Sequence, residues 1–216
     1  MGEPPMSNRI RLAVGAVAAA LLASPIVAQD DAPTEITCEW PVKSGDTAET
    51  VRERFGDQAR SEVLLGGEGY EFEGMVLWPD DPARRVEVLF EEDNPDLLVS
   101  GLRLLDDAAW PVAGVRLGDP LEQVRDANGA PFEFWGFGWD YGGYVATLDE
   151  GRFVSLAGRC ELLMRFSPDD DVDLPDALVG EVKVSTDDPR VKAAKARVSQ
   201  LVVSYDLGDG AATDTD

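Results

Sequence analysis

The strongest candidate for contact chemistry is the aromatic run Phe132-Glu133-Phe134-Trp135-Gly136-Phe137-Gly138-Trp139-Asp140-Tyr141. Side chains of an extended strand alternate between its two faces. Alternation would therefore send Trp135, Phe137, Trp139 and Tyr141 to one side, and Gly136, Gly138, Asp140 and Gly142 to the other. Glycine weakens a strand, so its recurrence at every second position predicts close approach on that side, most simply by a packed helix. The rings are then open to solvent and suited to recognition, because large rings carrying a polar atom dominate interface energetics. The competing reading reverses the faces: the aromatic stripe is core and the glycines are exposed. Asp140 reads as a turn residue leading into Gly142-Gly143 rather than as a general base.

Carboxylates supply the other chemistry-bearing groups. The chain has 42 Asp and Glu against 19 Lys and Arg, no His, and a net charge of −23. Without histidine there is no imidazole base, no serine triad of the usual kind and no His-ligated zinc. So acidic a chain does not bind nucleic acid, whose affinity comes from basic groups on phosphates. Asp169, Asp171 and Asp173 imitate the start of a calcium loop, but the sixth position is not Gly and the twelfth, Gly180, is not Glu. The segment therefore reads as a solvated loop, and Asp80-Asp81 and Glu91-Glu92-Asp93 as polar hairpin ends. Paired carboxylates run glycoside hydrolysis, which keeps a small hydrolase of envelope polymers as the alternative function. No nucleophile elbow, phosphate loop or dinucleotide fingerprint occurs, so the expectation is no catalysis, no cofactor and no metal. The acidic balance instead fits a protein or peptide partner, a basic one for preference.

Location is read from the N-terminus and the cysteines. Arg9 and Arg11 precede the apolar stretch 12–22, and Ile26-Val27-Ala28 ends in a small residue before Gln29. This is the order of a secretory leader over residues 1–28, too short to be a comfortable membrane span. The mature chain is expected to be periplasmic or secreted, with no membrane span. An exported chain with two cysteines pairs them, which predicts a bridge between Cys38 and Cys160.

The elements that must position these groups come from a repeat. Gly45, Asp46, Glu49, Val51, Arg52 and Gly56 recur 73 residues later as Gly118, Asp119, Glu122, Val124, Arg125 and Gly129. Asp46 and Asp119, each with Glu three residues on, predict N-caps of short helices; Gly56 and Gly129 predict their left-handed ends. Strands are expected at 61–65, 70–78, 85–91 and 98–105, then at 132–139, 143–148, 152–157, 159–166 and 181–185. A helix near 189–196 leads into a last strand at 198–205. The fold class is thus α+β: two tandem repeats, 29–113 and 114–206, each a short helix on an antiparallel sheet of about four strands. Residues 207–216 form a polar tail with nothing to bury, expected to be disordered.

This duplicated helix motif, followed by a meander of strands in an exported chain, resembles the β-lactamase-inhibitor-protein fold, which the outer-membrane small lipoprotein A family shares. The run Gly136-Phe137-Gly138-Trp139-Asp140-Tyr141-Gly142-Gly143 is also similar to a set of uncharacterised bacterial periplasmic proteins. The resemblance implies a fold whose known members bind other proteins. This chain departs from the lipoprotein members in having no lipid-anchor cysteine directly after its apolar leader.

Overall fold

Two eight-residue helices occupy the places where the motif recurs. A computed structural model describes residues 1–2, 33–91 and 94–205, with the residues from 33 onward in one compact unit. The leader and the acidic tail expected from the sequence lie outside the described residues. Helix α1 spans Ala48–Phe55 and α2 spans Leu121–Asn128. Each buries a narrow apolar stripe, Ala48 and Val51 in one and Leu121 and Val124 in the other.

The caps differ from the expectation. Thr47, not Asp46, is the N-cap of α1, exchanging hydrogen bonds with Thr50; α2 has Pro120 at the N-cap position and no side-chain cap. Asp46 and Asp119 sit one residue earlier and tighten the preceding turn. Asp46 accepts from the Lys43 amide at 3.0 Å, and Asp119 from the Arg116 amide at 2.8 Å. Asp46 is also buried and holds Arg54 through both carboxylate oxygens, at 2.7 and 2.8 Å. Gly56 and Gly129 end the helices with positive φ, +53° and +80°, but only Gly129 is left-handed; Gly56, at ψ −127°, lies outside that region.

The strands form a six-stranded antiparallel sheet and a three-stranded one. In the larger, β1 (Ala59–Leu65), β2 (Glu71–Leu77), β3 (Val86–Phe90) and β4 (Val99–Leu104) run as a meander. Beyond β4 lie β9 (Arg197–Tyr205) and then β7 (Cys160–Ser167). The smaller sheet has β5 (Glu133–Trp135) between β6 (Val145–Thr147) and β8 (Lys183–Ser185). A bridge between Tyr144, just before β6, and Arg165 on β7 links the sheets, so β6 lies beside β7. The expected pair of four-stranded sheets is thus corrected, because β7 and β9 extend the first meander instead of closing a sheet of their own. Residues 152–157 form turns rather than a strand, and the helix near 189–196 shrinks to α3, Val191–Ala194.

Both strand-to-helix junctions are built alike. The Val99 amide donates to the Asp46 carbonyl and Ala48 to Leu97; Val198 donates to Asp119 and Leu121 to Ala196. The meander then joins β9 along β4, with Leu102 opposite Val203 and Leu104 opposite Leu201. The core lies on one side of this sheet. Val86, Val88, Leu102, Leu104, Met164, Phe166, Leu201 and Val203 face α1, α2 and the segment carrying Ile36, Cys38 and Val42. Cys38 and Cys160 are bridged, with Cα atoms 5.5 Å apart, a separation ordinary for a disulfide. Among the described residues, no helix is long and apolar enough to cross a membrane.

Candidate functional site

The aromatic run is a strand for only three residues. β5 ends at Trp135; the Gly136 amide still donates to the Val182 carbonyl in the β5–β8 register, and the chain departs from it at Phe137, whose amide donates to Leu178. The alternation therefore stops, and the expected single face of four rings is corrected. Phe137 is 2% exposed, packs 5.3 Å from Phe134, and exchanges backbone hydrogen bonds with Leu178 and Gly180. Trp135, Trp139 and Tyr141 remain on the helix-free side, opposite buried Phe134 and Val184.

The glycines have reasons other than a packed helix. A Cβ at Gly136 would meet the Gly180 carbonyl oxygen at 2.7 Å, and one at Gly143 would sit 1.8 Å from that of Phe166. Gly138 and Gly143 also need positive φ, at +86° and +82°. Close backbone approach and turn geometry thus account for the pattern. Together they fold residues 136–143 into a tight platform, with Gly142 bonded to Trp139 and Gly143 to Trp135.

Three rings stand on that platform as a chain. Trp139 lies 5.8 Å from Trp135, nearly perpendicular, and 5.4 Å from Tyr141. The Trp139 indole nitrogen donates to the Gly136 carbonyl at 2.8 Å, which fixes the ring. Trp135 carries Lys183 above its face, 5.6 Å from the ring centre, and the same ammonium donates to Thr147 Oγ1. Trp135 and Trp139 are half-buried, while Tyr141 is 62% exposed. Asp140 lies in the turn and is exposed; its carboxylate has no partner among the described residues.

Residues the sequence reading passed over complete the surroundings. Arg165 on β7 stacks 4.8 Å from the centre of the Tyr144 ring and donates to the carbonyls of Gly142 and Asp140, at 2.9 and 3.2 Å. It braces the turn from below. Across from it stands the tip of the β1–β2 hairpin, where Glu68 adopts φ +55° between Gly67 and Gly69. The hairpin tip and the aromatic turn enclose a cleft of about 490 Å³ lined by Gly67, Glu68, Asp140, Tyr141, Tyr144 and Arg165. Only the topology brings Glu68 there; no spacing in the sequence could.

A second aromatic group also escaped notice. Trp40, Trp78 and Trp110 pack together at 5.0 to 5.7 Å, with the Arg84 guanidinium 4.6 Å over Trp78. Each of the three precedes a proline, Pro41, Pro79 and Pro111, a triple Trp-Pro signal present in the sequence. The acidic segment at 169–173 is an ordinary Asx turn, in which Asp169 Oδ1 accepts from the Asp171 amide at 3.0 Å.

The chain matches no protein-family profile and no curated protein. Among solved structures it is similar to the crystal structure of the uncharacterized protein YfeY from Escherichia coli. That likeness has 16% identity and a TM-score of 0.33 over 72% of this chain and 86% of that one.

Proposed function

We propose that this is an exported, periplasmic protein-binding module without catalysis, inhibitor-like or acting in envelope assembly, and that Trp135, Trp139 and Tyr141 form its contact surface. The observation that carries this reading is three linked rings left partly exposed on the helix-free side, while neighbouring Phe137 is given to the core. Rings fixed in advance lose little conformational freedom on binding, so more of their contact energy appears as affinity. The disulfide is compatible with an oxidising, exported setting.

The fold reading that goes with it is a duplication of the β-lactamase-inhibitor-protein kind. In its support, the motif residues 73 apart make matching contacts: Lys43–Asp46 with Arg116–Asp119, and Val51–Thr47 with Val124–Pro120. The order β1-β2-β3-β4 then meets β9-β7 through its last strand, with β6 and β5 beyond. On this reading β8 and α3 are an insertion before the final strand of the second copy.

The test is capture from periplasmic extract with the wild type, Trp139→Ala and Phe137→Ala. Trp139→Ala is expected to weaken capture by about 2 kcal/mol or more with little loss of thermal stability. Phe137→Ala is expected to cost about 3–5 kcal/mol of stability, as for a buried ring. Unchanged capture by folded Trp139→Ala would refute the surface.

A further inference from the structure

We infer that the cleft between the β1–β2 hairpin tip and the aromatic turn is a receptor for a single basic side chain, Lys or Arg, projecting from the partner protein; this rests on the aromatic surface being the partner-binding face. Four observations converge on that occupant. The cleft holds about 490 Å³, room for one long side chain and its water. Two carboxylates, Glu68 and Asp140, stand on opposite walls, and neither has a hydrogen-bond or ion-pair partner among the described residues. The exposed ring of Tyr141 lines the same space, and the face of a phenol attracts a cation that has shed part of its water.

The fourth observation concerns Arg165, which at first sight fills the need for a cation. Its donors go to the backbone carbonyls of Gly142 and Asp140, and its guanidinium lies on Tyr144. Bonds to neutral carbonyls leave its charge in place, so with Glu68 and Asp140 the groups lining the cleft still sum to a net −1 (two carboxylates against one guanidinium), open to an incoming cation. The charge of the whole chain, −23, works in the same direction by drawing a basic surface toward it. A cation held between two carboxylates donates charge-assisted hydrogen bonds to both sides, and the aliphatic stem of Lys or Arg covers the exposed Tyr141 ring.

The experiment uses the full chain and two probes, amidated tri-arginine and tri-glutamate, measured calorimetrically at about 50 mM and 500 mM salt. Tri-arginine is expected to bind and tri-glutamate not to. The double substitution Glu68→Gln with Asp140→Asn is expected to weaken tri-arginine binding at least tenfold at low salt. The matched control Glu49→Gln with Glu122→Gln removes the same charge from α1 and α2 and is expected to change it less than twofold. Equal loss in both double variants, or no binding of tri-arginine, would overturn the receptor. Partner capture separates this from the surface itself. If Trp139→Ala abolishes capture while the Glu68/Asp140 variant captures normally, the cleft claim falls and the aromatic surface stands. If neither variant alters capture, both fall.

Discussion

A methyl group placed at Gly143 would lie 1.8 Å from the carbonyl oxygen of Phe166, on a backbone already at φ +82°. Neither the strand behind it nor the turn around it can yield, since Phe166 donates its amide to the Gly143 carbonyl at 2.9 Å. Gly143→Ala is therefore expected to cost about 3 kcal/mol or more, read as a lower denaturation midpoint. Gly129→Ala meets open space and only the left-handed φ of +80°, so about 1 kcal/mol is expected there. Tyr205 offers a second contrast at this scale. Its buried hydroxyl donates to the Val42 carbonyl at 2.6 Å, and burial, aided by the nearby Asp46 charge, holds its pKa well above the ordinary phenol value of 10.0. A folded-state pKa above the unfolded one gives stability that is whole below pH 10 and lost as pH rises beyond it. Wild type should lose stability above pH 10 in denaturant titrations, and Tyr205→Phe should lose less there while starting about 1 kcal/mol lower at neutral pH. Aromatic residues were legible in the sequence as a group, but their faces were not. Period two predicts four rings together, but at Phe137 the chain leaves the β5–β8 register to bond with Leu178 and Gly180, which gives that ring to the core.

Helices α1 and α2 were legible because short helices announce themselves through glycine at their ends, and both Gly56 and Gly129 have positive φ. Their caps were misjudged by one residue: Asp46 and Asp119 bond backward to tighten a turn, while Thr47 caps forward. Asp, Ser and Thr do both jobs with the same atoms, so spacing alone cannot separate them. Ahead of α3, Asp188 shows a forward-facing version of the same economy. The Arg190 side chain and amide both donate to it, which lowers the Asp188 pKa to about 2. Its depressed value means the contact persists above the ordinary carboxylate range and is lost as pH falls through about 2. NMR titration should find that midpoint, and Arg190→Ala should raise it toward the usual range. Residues 152–157 alternate like a strand yet form turns, because Asn128 captures the neighbourhood: its side chain bonds the carbonyls of Ala130 and Glu150 and the amide of Phe153. Nothing local in the sequence reveals that buried amide.

On the scale of the molecule, the α+β class, the antiparallel pairing and the cysteine bridge were legible, while the joining of β7 and β9 to the first meander was not. Long-range strand order depends on which edges meet, and β4 carries no mark that β9 is its neighbour. The bridge closes a separation of 122 residues, so chain entropy assigns it about 5 kcal/mol, an upper figure. Replacing both cysteines by serine is expected to cost about 2–5 kcal/mol, and intact mass of the oxidised protein should show two hydrogens missing. What that bridge joins has a consequence for how the protein is made. Ile36 bonds to Pro111, Cys38 to Cys160, and Val42 to Tyr205, so residues 36–42 are anchored by partners that come later in the chain, the last of them on the final strand. The strand that supplies Tyr205 also covers the open edge of β4. A chain emerging in order from a ribosome or a translocation channel therefore cannot finish its first half until its last strand has arrived. During that interval the Cys38 thiol and the β4 edge stay unguarded, a window in which a holding chaperone or a thiol oxidant has most to act upon.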